Sequence, residues 1–253
     1  MPQSDLAKVD FRSPRLYVDA PLHEGAEIAL DRDQANYLGN VLRLAAGGTV
    51  LVFNGRDGEW RAAIGGRKRP DQLSIAGRTR AQAALPDLTY AFAPLKHARL
   101  DYMVQKAVEM GAARLQPVLT RFTQVSRVNG ERMRANAIEA AEQCGILALT
   151  AVDEPQPLER WLSQRAAGRL LVFCDEDAPV ADPVAALAGA PKGSGIDVLV
   201  GPEGGFSEDE RSLLRRQTGT LILSLGPRIL RADTAAVAAL ALVEAVLGDW
   251  RRS

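Results

Sequence analysis

Two glycine-rich turns near the carboxyl end constrain the fold more than any other part of the chain. The first is Val200-Gly-Pro-Glu-Gly-Gly-Phe-Ser207, and the second is Leu225-Gly-Pro-Arg-Ile-Leu-Arg-Ala-Asp-Thr-Ala235. Each turn follows an apolar run that is typical of a buried strand, and a helical pattern follows each turn. In α/β proteins such loops share one edge of the sheet, where ligands bind. Neither turn matches the dinucleotide or P-loop phosphate motifs, so we expect recognition by backbone groups and apolar contacts.

The composition excludes several classes of protein. A chain of 253 residues is long enough for one large domain or two modest ones. Its composition, 47% apolar and 25% charged, is ordinary for a globular protein. No long apolar run occurs and the N-terminus is polar, so the sequence predicts neither a membrane span nor a secretory signal. Two isolated cysteines, Cys144 and Cys174, are expected to be small buried residues of a cytoplasmic protein. With only two histidines, no metal site is expected.

The formal net charge is zero, but the basic residues are unevenly distributed. They form two clusters, one of Arg67, Lys68, Arg69, Arg78 and Arg80, the other of Arg121, Arg127, Arg132 and Arg134. Such clusters are either solvated faces or one side that binds a polyanion, and both alternatives stay open here.

The first 80 residues predict a small β-barrel. Five short runs are separated by Gly, Asp and Asn turns: Arg15–Asp19, Ala26–Leu30, Thr49–Asn54, Glu59–Gly66 and Gln72–Arg80. The dipeptides Asn54-Gly55 and Asp57-Gly58 have the chemistry of hairpin turns. One helical pattern, from Ala35 to Leu44, interrupts the strands.

From residue 87 onward strands and helices alternate, which predicts a mostly parallel sheet covered on both faces. The predicted strands are Leu88–Leu95, Leu115–Leu119, Arg169–Cys174, Asp197–Val200 and Leu221–Leu225. The predicted helices are His97–Met110, Glu131–Gln143, Leu158–Ala166, Val184–Leu187, Ser207–Gln217 and Asp233–Leu247. We therefore expect an α/β protein with two domains, residues 1–82 and 87–253.

The helix after the first glycine turn begins with a capping box, Ser207-Glu208-Asp209-Glu210. Because this box fixes the start of the helix, Gly204-Gly205 must turn sharply with an open backbone. Glu203 has no evident role in the structure of the turn itself, so we expect it to orient a ligand or a neighbouring loop. The alternative is a strand-to-helix connection without further function.

The second glycine turn mixes apolar and basic residues and enters a helix that is apolar nearly all round. Such a helix must be covered by the sheet on one side and by something else, such as a second subunit, on the other. Asp233 or Thr234 is expected to cap its free amides. Arg228 and Arg231 suit the recognition of phosphate or carboxylate.

The two turns resemble the signature loops of the SPOUT methyltransferases, and more narrowly those of the RsmE family, which methylates N3 of a uridine in bacterial 16S ribosomal RNA. Four other segments are similar to patterns of that family: Arg12–Val18, Val41–Leu44, Lys106–Gly111 and Glu142–Gly145. The resemblance covers nearly the whole chain. The chain departs from the family at Ala232-Asp233, where Thr-Glu is usual, at Asn36, where histidine is common, and at Ile146, where arginine is common.

The resemblance implies an N-terminal PUA-like β-barrel that binds RNA, joined to a trefoil-knotted α/β domain that dimerises through its C-terminal helix. It also implies that S-adenosylmethionine lies across the knot. The implied cofactor contacts are Val200, Gly201, Pro202, Gly204, Gly205, Leu225, Gly226, Ile229, Leu230, Thr234 and Ala235. No metal is implied.

Methylation of uracil N3 requires loss of a proton and stabilisation of the developing anion. Our hypothesis is that Arg231 stabilises this anion, and that Asp233, in preference to Glu203, orients Arg231 or accepts the proton. For the surrounding RNA of the small ribosomal subunit, the predicted contacts are Arg12, Arg15, Arg43 and Arg228. The alternative for Arg12, Arg15 and Arg43 is a salt-bridged domain surface, and for Lys106 and Glu109 it is an exposed ion pair rather than a catalytic role.

Two other functions stay open. One is ribose 2′-O-methylation of transfer or ribosomal RNA by the same fold, and the other is a non-catalytic RNA-binding role in subunit assembly.

Overall fold

A computed structural model of the chain describes residue 10 and residues 12–125, 127–179, 181–191 and 195–251. These residues form two compact units. Unit 1 consists of the described residues up to Ala84 together with Ile138–Leu149, and unit 2 contains the rest. The division at residues 82 and 87 stays a prediction. The pattern of strands and helices gave no sign that residues 138–149 belong with unit 1.

The five strands of unit 1 form one sheet. They are β1 (Arg15–Tyr17), β2 (Glu27–Ala29), β3 (Thr49–Phe53), β4 (Glu59–Gly65) and β5 (Gln72–Arg80). Their order is β1-β3-β4-β5-β2, with β1 parallel to β3 and the other pairs antiparallel. Phe53 pairs with Glu59 across the turn between β3 and β4, so the predicted hairpin is confirmed.

The helical segment between β2 and β3 is less regular than predicted. Helix α1 (Arg32–Asn36) begins at a capping box between Asp31 and Gln34, and it continues as a π-helix over Tyr37–Val41. The segment ends at Arg43, whose φ of 55° lies in the left-handed region that non-glycine residues rarely adopt. Such π-helical turns and left-handed residues are frequent at functional sites.

A buried ion cluster connects β1, β4 and β5. The Nε of Arg15 donates to Glu59 Oε1 at 2.9 Å, and the Nη2 of Arg80 donates to the same oxygen at 2.6 Å. The side chains of Arg15 and Glu59 are 2% and 1% exposed. Burial raises the pKa of the Glu59 carboxyl, but hydrogen bonds from Arg80, Thr79 and Arg15 lower it by more, so it stays below its usual value.

The strands of unit 2 run parallel. They are β6 (Leu88–Phe92), β7 (Arg114–Leu119), β8 (Ala151–Val152), β9 (Gln156–Pro157), β10 (Leu170–Cys174), β11 (Ile196–Val200) and β12 (Thr220–Leu223). The sheet order is β12-β10-β11-β6-β7-β8, and β9 pairs with the end of β7. The predicted parallel sheet is confirmed. Strands β8 and β9 have two residues each, too few to show a hydrophobic pattern.

The helices of the α/β part match their predicted ranges to within two residues at each end. They are α2 (His97–Glu109), α3 (Gly130–Cys144), α4 (Leu158–Gln164), α5 (Pro183–Ala188), α6 (Glu208–Arg215) and α7 (Ala232–Val246). Residues of α3 from Ile138 onward belong to unit 1. Among the described residues, no helix has both the length and the apolarity that crossing a bilayer requires.

The order of the strands in unit 2 reverses between β6 and β11. From β6 the chain moves to β7 and β8 on one side, whereas β11, β10 and β12 lie on the other. Leu171, Phe173 and Leu199 fill the core beneath this junction and are fully buried. In open α/β sheets, ligands bind at the carboxyl ends of the strands where the order reverses.

Glu142 is a partly charged group inside unit 1. Its Oε1 accepts a hydrogen bond from the amide of Tyr17 at 2.8 Å. Burial raises the pKa of the Glu142 carboxyl to about 7, since the Tyr17 amide favours the charge by less and the neighbouring Glu139 disfavours it further. Ionisation of Glu142 above that pH therefore opposes folding.

We expect the Glu142→Gln variant to remove part of the pH dependence of stability. The wild-type free energy of unfolding should fall as the pH rises from the unfolded carboxyl pKa, about 4.3, through about 7. Glutamine keeps an acceptor for the Tyr17 amide but does not ionise, so the variant should exceed the wild type at pH 8 by up to about 3 kcal/mol. Urea unfolding at pH 4.5 and pH 8 measures this difference. A difference of the same size at both pH values would contradict it.

Candidate active site

The first glycine loop is built on close backbone packing. Strand β11 ends at the buried Val200, whose carbonyl accepts a hydrogen bond from the Ala93 amide at 3.1 Å. The chain then turns back, with the amide of Gly205 donating to the Pro202 carbonyl at 2.9 Å. Gly205 has a φ of 66°, and a Cβ there would overlap the carboxylate of Glu176. Only glycine fits this position without strain.

Phe206 and the predicted capping box hold the other end of the loop. The ring of Phe206 packs edge-on against Phe173 at 5.1 Å between centroids, and a Cβ at Gly201 would overlap that ring. The amide of Ser207 donates to Glu210 Oε2 at 2.9 Å, while the Ser207 hydroxyl accepts from the Glu210 amide. The predicted capping box is therefore confirmed.

Arg211 of α6 joins the glycine loop to the loop after β10, a link that the sequence did not reveal. Its guanidinium contacts the buried Asp175 at 3.1 Å, Glu176 at 3.2 Å and Asp177 at 2.8 Å. Because Glu176 lies against Gly205, these ion pairs hold the loop of residues 175–177 beside the turn. Asp175 and Arg211 are 36 positions apart, so no local pattern connects them.

The second glycine loop is open to solvent. Ile229 is 93% exposed, and Gly226 has a φ of 105°. Helix α7 starts at Ala232 with Arg231 as its capping residue, and the Arg231 side chain makes no capping hydrogen bond. The expectation that Asp233 or Thr234 caps the helix is therefore corrected. Asp233 lies within the first turn, and its Oδ1 accepts from the Thr234 amide at 2.9 Å.

The two loops meet in a cavity of about 600 Å³, which we call the catalytic lobe. Its walls come from loops at the carboxyl edge of the sheet and from the start of α2: Pro94, Leu95, Lys96, Arg99, Gln124, Val125, Pro202, Glu203, Ile229, Leu230 and Arg231. The volume is within the range of small-molecule sites, about 300–1,000 Å³.

Two of the predicted catalytic residues, Glu203 and Arg231, line the catalytic lobe together. The carboxylate of Glu203 pairs with the guanidinium of Arg99. Arg99 belongs to helix α2, so the expectation that Glu203 orients a ligand or a neighbouring loop stays a prediction. The third predicted residue, Asp233, is not among the described residues that line the lobe.

The predicted cofactor residues divide between the cavity wall and the turns themselves. Pro202, Ile229 and Leu230 line the catalytic lobe. The others belong to the turns or to the start of α7, outside the described lining of the lobe: Val200, Gly201, Gly204, Gly205, Leu225, Gly226, Thr234 and Ala235. Within the described residues, no group of three or more His, Cys, Asp or Glu could hold a metal ion.

Tyr90 of β6 is fully buried. Burial raises the pKa of Tyr90 well above its usual value, and electrostatic interaction with Cys174 and Asp233 raises it further. The Tyr90 hydroxyl donates to the sulfur of Met103 at 3.1 Å.

Of the arginines predicted to contact RNA, Arg12, Arg43 and Arg228 are exposed. Arg15 is buried in its ion pair with Glu59, so the salt-bridge alternative describes it better than an RNA contact. The Nζ of Lys106 lies 2.6 Å from Glu109 Oε1, which likewise favours the ion-pair alternative. The prediction that both cysteines are buried is wrong for Cys144, which is exposed.

Comparison with known proteins places this site in a family. Residues 82–244 match the family described as RNA methyltransferase domain, and residues 30–71 match the RNA methyltransferase PUA domain. The Rickettsia conorii protein named Ribosomal RNA small subunit methyltransferase E is 33% identical over 234 residues, covering 90% of this chain and 94% of its own length. The chain belongs to the ribosomal RNA small subunit methyltransferase E family.

Solved structures of similar proteins confirm the fold. The small subunit methyltransferase E of Neisseria gonorrhoeae, bound to S-adenosylmethionine, has a TM-score of 0.82 and 26% identity, covering 94% of this chain and 100% of that chain. A protein of Legionella pneumophila described as a methyltransferase with bound S-adenosylmethionine has a TM-score of 0.81 and 28% identity. The match covers 92% of this chain and 98% of that chain. The RsmE-type α/β fold with a PUA-like domain is confirmed, and the trefoil knot stays a prediction.

We expect the Gly201→Ala variant to lower the free energy of unfolding by about 1–3 kcal/mol, because the new methyl group would displace the packed ring of Phe206. The matched control is Gly77→Ala in β5, where a Cβ would meet no atom within 4 Å. Urea unfolding of both variants measures the difference. Equal stability of the two would show that the close approach at Gly201 carries no constraint.

Proposed function

We propose that the chain transfers the methyl group of S-adenosylmethionine to N3 of a specific uridine in 16S ribosomal RNA of the small subunit. The observation that carries this proposal is the cavity between the two glycine loops, at the point where the strand order reverses. Membership of the small subunit methyltransferase family and the bound cofactor of the Neisseria relative support it.

The residues of the two loops fit S-adenosylmethionine. Gly201 and Gly205 let Phe206 and Glu176 pack against the first turn and fix its shape, while a Cβ at Gly226 of the second turn would meet no atom within 4 Å. Ile229 and Leu230 offer an apolar wall. The exposure of Ile229 leaves its side chain available to cover a bound adenine. When bound, the cofactor supplies an electrophilic methyl group on a sulfonium. The loop residues would hold it beside the catalytic lobe and exclude water.

Arg231 is suited to stabilise the anion of the target uracil. Removal of the N3 proton leaves a negative charge that is shared by O2 and O4, and a positioned cation lowers the free energy of that anion. Arg231 lines the catalytic lobe at the start of α7, where the helix dipole adds partial positive charge. A negative group is therefore favoured at this position.

The positions of the two carboxylates favour Glu203 over Asp233 as the proton acceptor, which reverses the preference taken from the sequence. Glu203 lines the catalytic lobe, whereas Asp233 bonds to the Thr234 amide and lies outside the described lining. We therefore assign the acceptor of the N3 proton to Glu203, which Arg99 holds in place. Asp233 is assigned to orient the start of α7 and with it Arg231.

The RNA contacts assigned here are the exposed arginines Arg12, Arg43 and Arg228, while Arg15 is left out because it is buried. Positive side chains of this kind bind chiefly phosphates. The target uridine must be reached unpaired or flipped out of a helix, because N3 lies on its pairing edge.

A homodimer through α7 and a cytoplasmic location complete the proposal. On α7, Ala239, Leu240 and Val243 are buried, whereas Val237 and Leu242 are only half-buried. The half-buried apolar residues supply a surface that a second copy of the helix would cover. Sedimentation of the purified chain tests this part.

We expect the Arg231→Ala variant to lower kcat by about a hundred-fold or more, because it removes the group that stabilises the uracil anion. Its affinity for S-adenosylmethionine should change little. The assay follows labelled methyl transfer to small subunits from a strain that lacks the enzyme. Arg228→Ala, which removes the same charge from the same loop, should raise KM with little effect on kcat. Near wild-type turnover of the Arg231→Ala variant would refute its role.

Reverse transcription of ribosomal RNA distinguishes the proposed reaction from its alternatives. A methyl group on N3 blocks the pairing edge and stops the polymerase, so deletion of the gene should remove one stop in 16S ribosomal RNA. Loss of a ribose methyl with all such stops intact would indicate 2′-O-methylation instead. A chain that binds no S-adenosylmethionine in calorimetry would indicate a non-catalytic assembly factor.

A further inference from the structure

A second cavity of about 360 Å³ adjoins the catalytic lobe, and we call it the flanking lobe. The two cavities share four wall residues, Leu95, Lys96, Gln124 and Val125. The other walls of the flanking lobe come from α2 and from the start of α3 with the segment before it: Leu100, Asp101, Arg127, Asn129, Arg132 and Met133. The two lobes therefore lie next to each other along these four residues.

The flanking lobe has an apolar floor and a polar rim. Leu95, Leu100 and Met133 are at most 8% exposed and form the floor. Lys96 and Arg127 are exposed cations at the rim. This distribution suits a planar apolar ring that carries a phosphate, and the volume is at the lower end of ligand sites, about 300–1,000 Å³.

Arg132 at the rim is held in a fixed plane. Its Nε lies 2.9 and 3.1 Å from the two carboxylate oxygens of Asp101, and its Nη2 lies 2.6 Å from Oδ2. Asn136 donates to the same carboxylate at 2.7 Å, which fixes the orientation of Asp101. One edge of the guanidinium is therefore bound to Asp101, while 65% of the Arg132 side chain is exposed to solvent. Bases of unpaired RNA stack on arginine planes of this kind.

We propose that the flanking lobe binds the base of the nucleotide next to the target uridine, stacked on Arg132. This inference rests on the proposed function, since it requires an RNA strand in the catalytic lobe. When the target base occupies that lobe, an adjacent nucleotide of an unpaired strand reaches the flanking lobe, because the two lobes are neighbours. Lys96 and Arg127 then face the phosphates.

The flanking lobe also separates the members of the second basic cluster, whose role the sequence left open between a solvated face and a polyanion-binding side. Arg127 and Arg132 line the flanking lobe, whereas Arg134 is exposed on the same helix as Arg132 and is not among the described lining residues. Arg134 is therefore a matched control, since its removal takes away the same charge two positions further along α3.

The test measures methyl transfer to small subunits from a strain that lacks the enzyme, with S-adenosylmethionine at saturation. We expect Arg132→Ala to raise KM for the subunit about tenfold, because the stacking of one base is lost. The kcat at saturating subunit and the affinity for S-adenosylmethionine should stay as in the wild type. Arg134→Ala should stay within about twofold of the wild type in every constant, since a surface charge contributes little.

Arg132→Lys separates stacking from charge and also covers the case in which the alanine variant folds poorly. Lysine keeps the positive charge but not the plane, so we expect it to raise KM nearly as much as alanine does. A KM restored by lysine would show a phosphate contact and overturn the base site. Equal KM values for Arg132→Ala and Arg134→Ala, with methyl transfer intact, would overturn it as well. No methyl transfer by the wild-type chain would refute the proposed function itself.

Discussion

The packing of Gly201 against the ring of Phe206 is the contact on which the rest of the site depends. It brings the end of β11 close to the start of α6, and the capping box of Ser207 and Glu210 then fixes where that helix begins. The conformation of the intervening turn is also constrained, because a side chain at Gly205 would overlap Glu176. A rigid backbone turn at the carboxyl edge of a sheet is the arrangement that backbone-mediated binding of a small ligand requires.

Two sets of ion pairs hold this turn from different elements. Arg211 ties it to the buried Asp175 of the loop after β10, and Arg99 of α2 holds Glu203 at the catalytic lobe. With Glu203 engaged in this way, Arg231 stands at the start of α7 without a capping hydrogen bond from its side chain. The charges of the site are thus divided between Arg211 and Arg99, which hold the turn, and Glu203 and Arg231, which the proposed reaction uses.

The sequence predicted the elements well because their signals are local. Hydrophobic period, glycine stops and the capping box fixed the ranges of α2 and α6 and the turn of the hairpin before Glu59. What it missed depends on distant partners. Nothing in the local sequence shows that Arg15 is buried, because its partner Glu59 is distant in the chain. Arg99 and Glu203 form an ion pair although they are 104 positions apart. The π-helix before Arg43 breaks the period on which the prediction of a regular helix relied.

A crystal structure of the chain with S-adenosylmethionine would show whether the two glycine turns hold the cofactor. We expect the adenosine between the turns of residues 200–205 and 225–230, with the methyl group directed into the cavity that holds Glu203 and Arg231. Cofactor bound elsewhere on the chain would contradict it, as would crystals that leave both turns without ligand at saturating concentration.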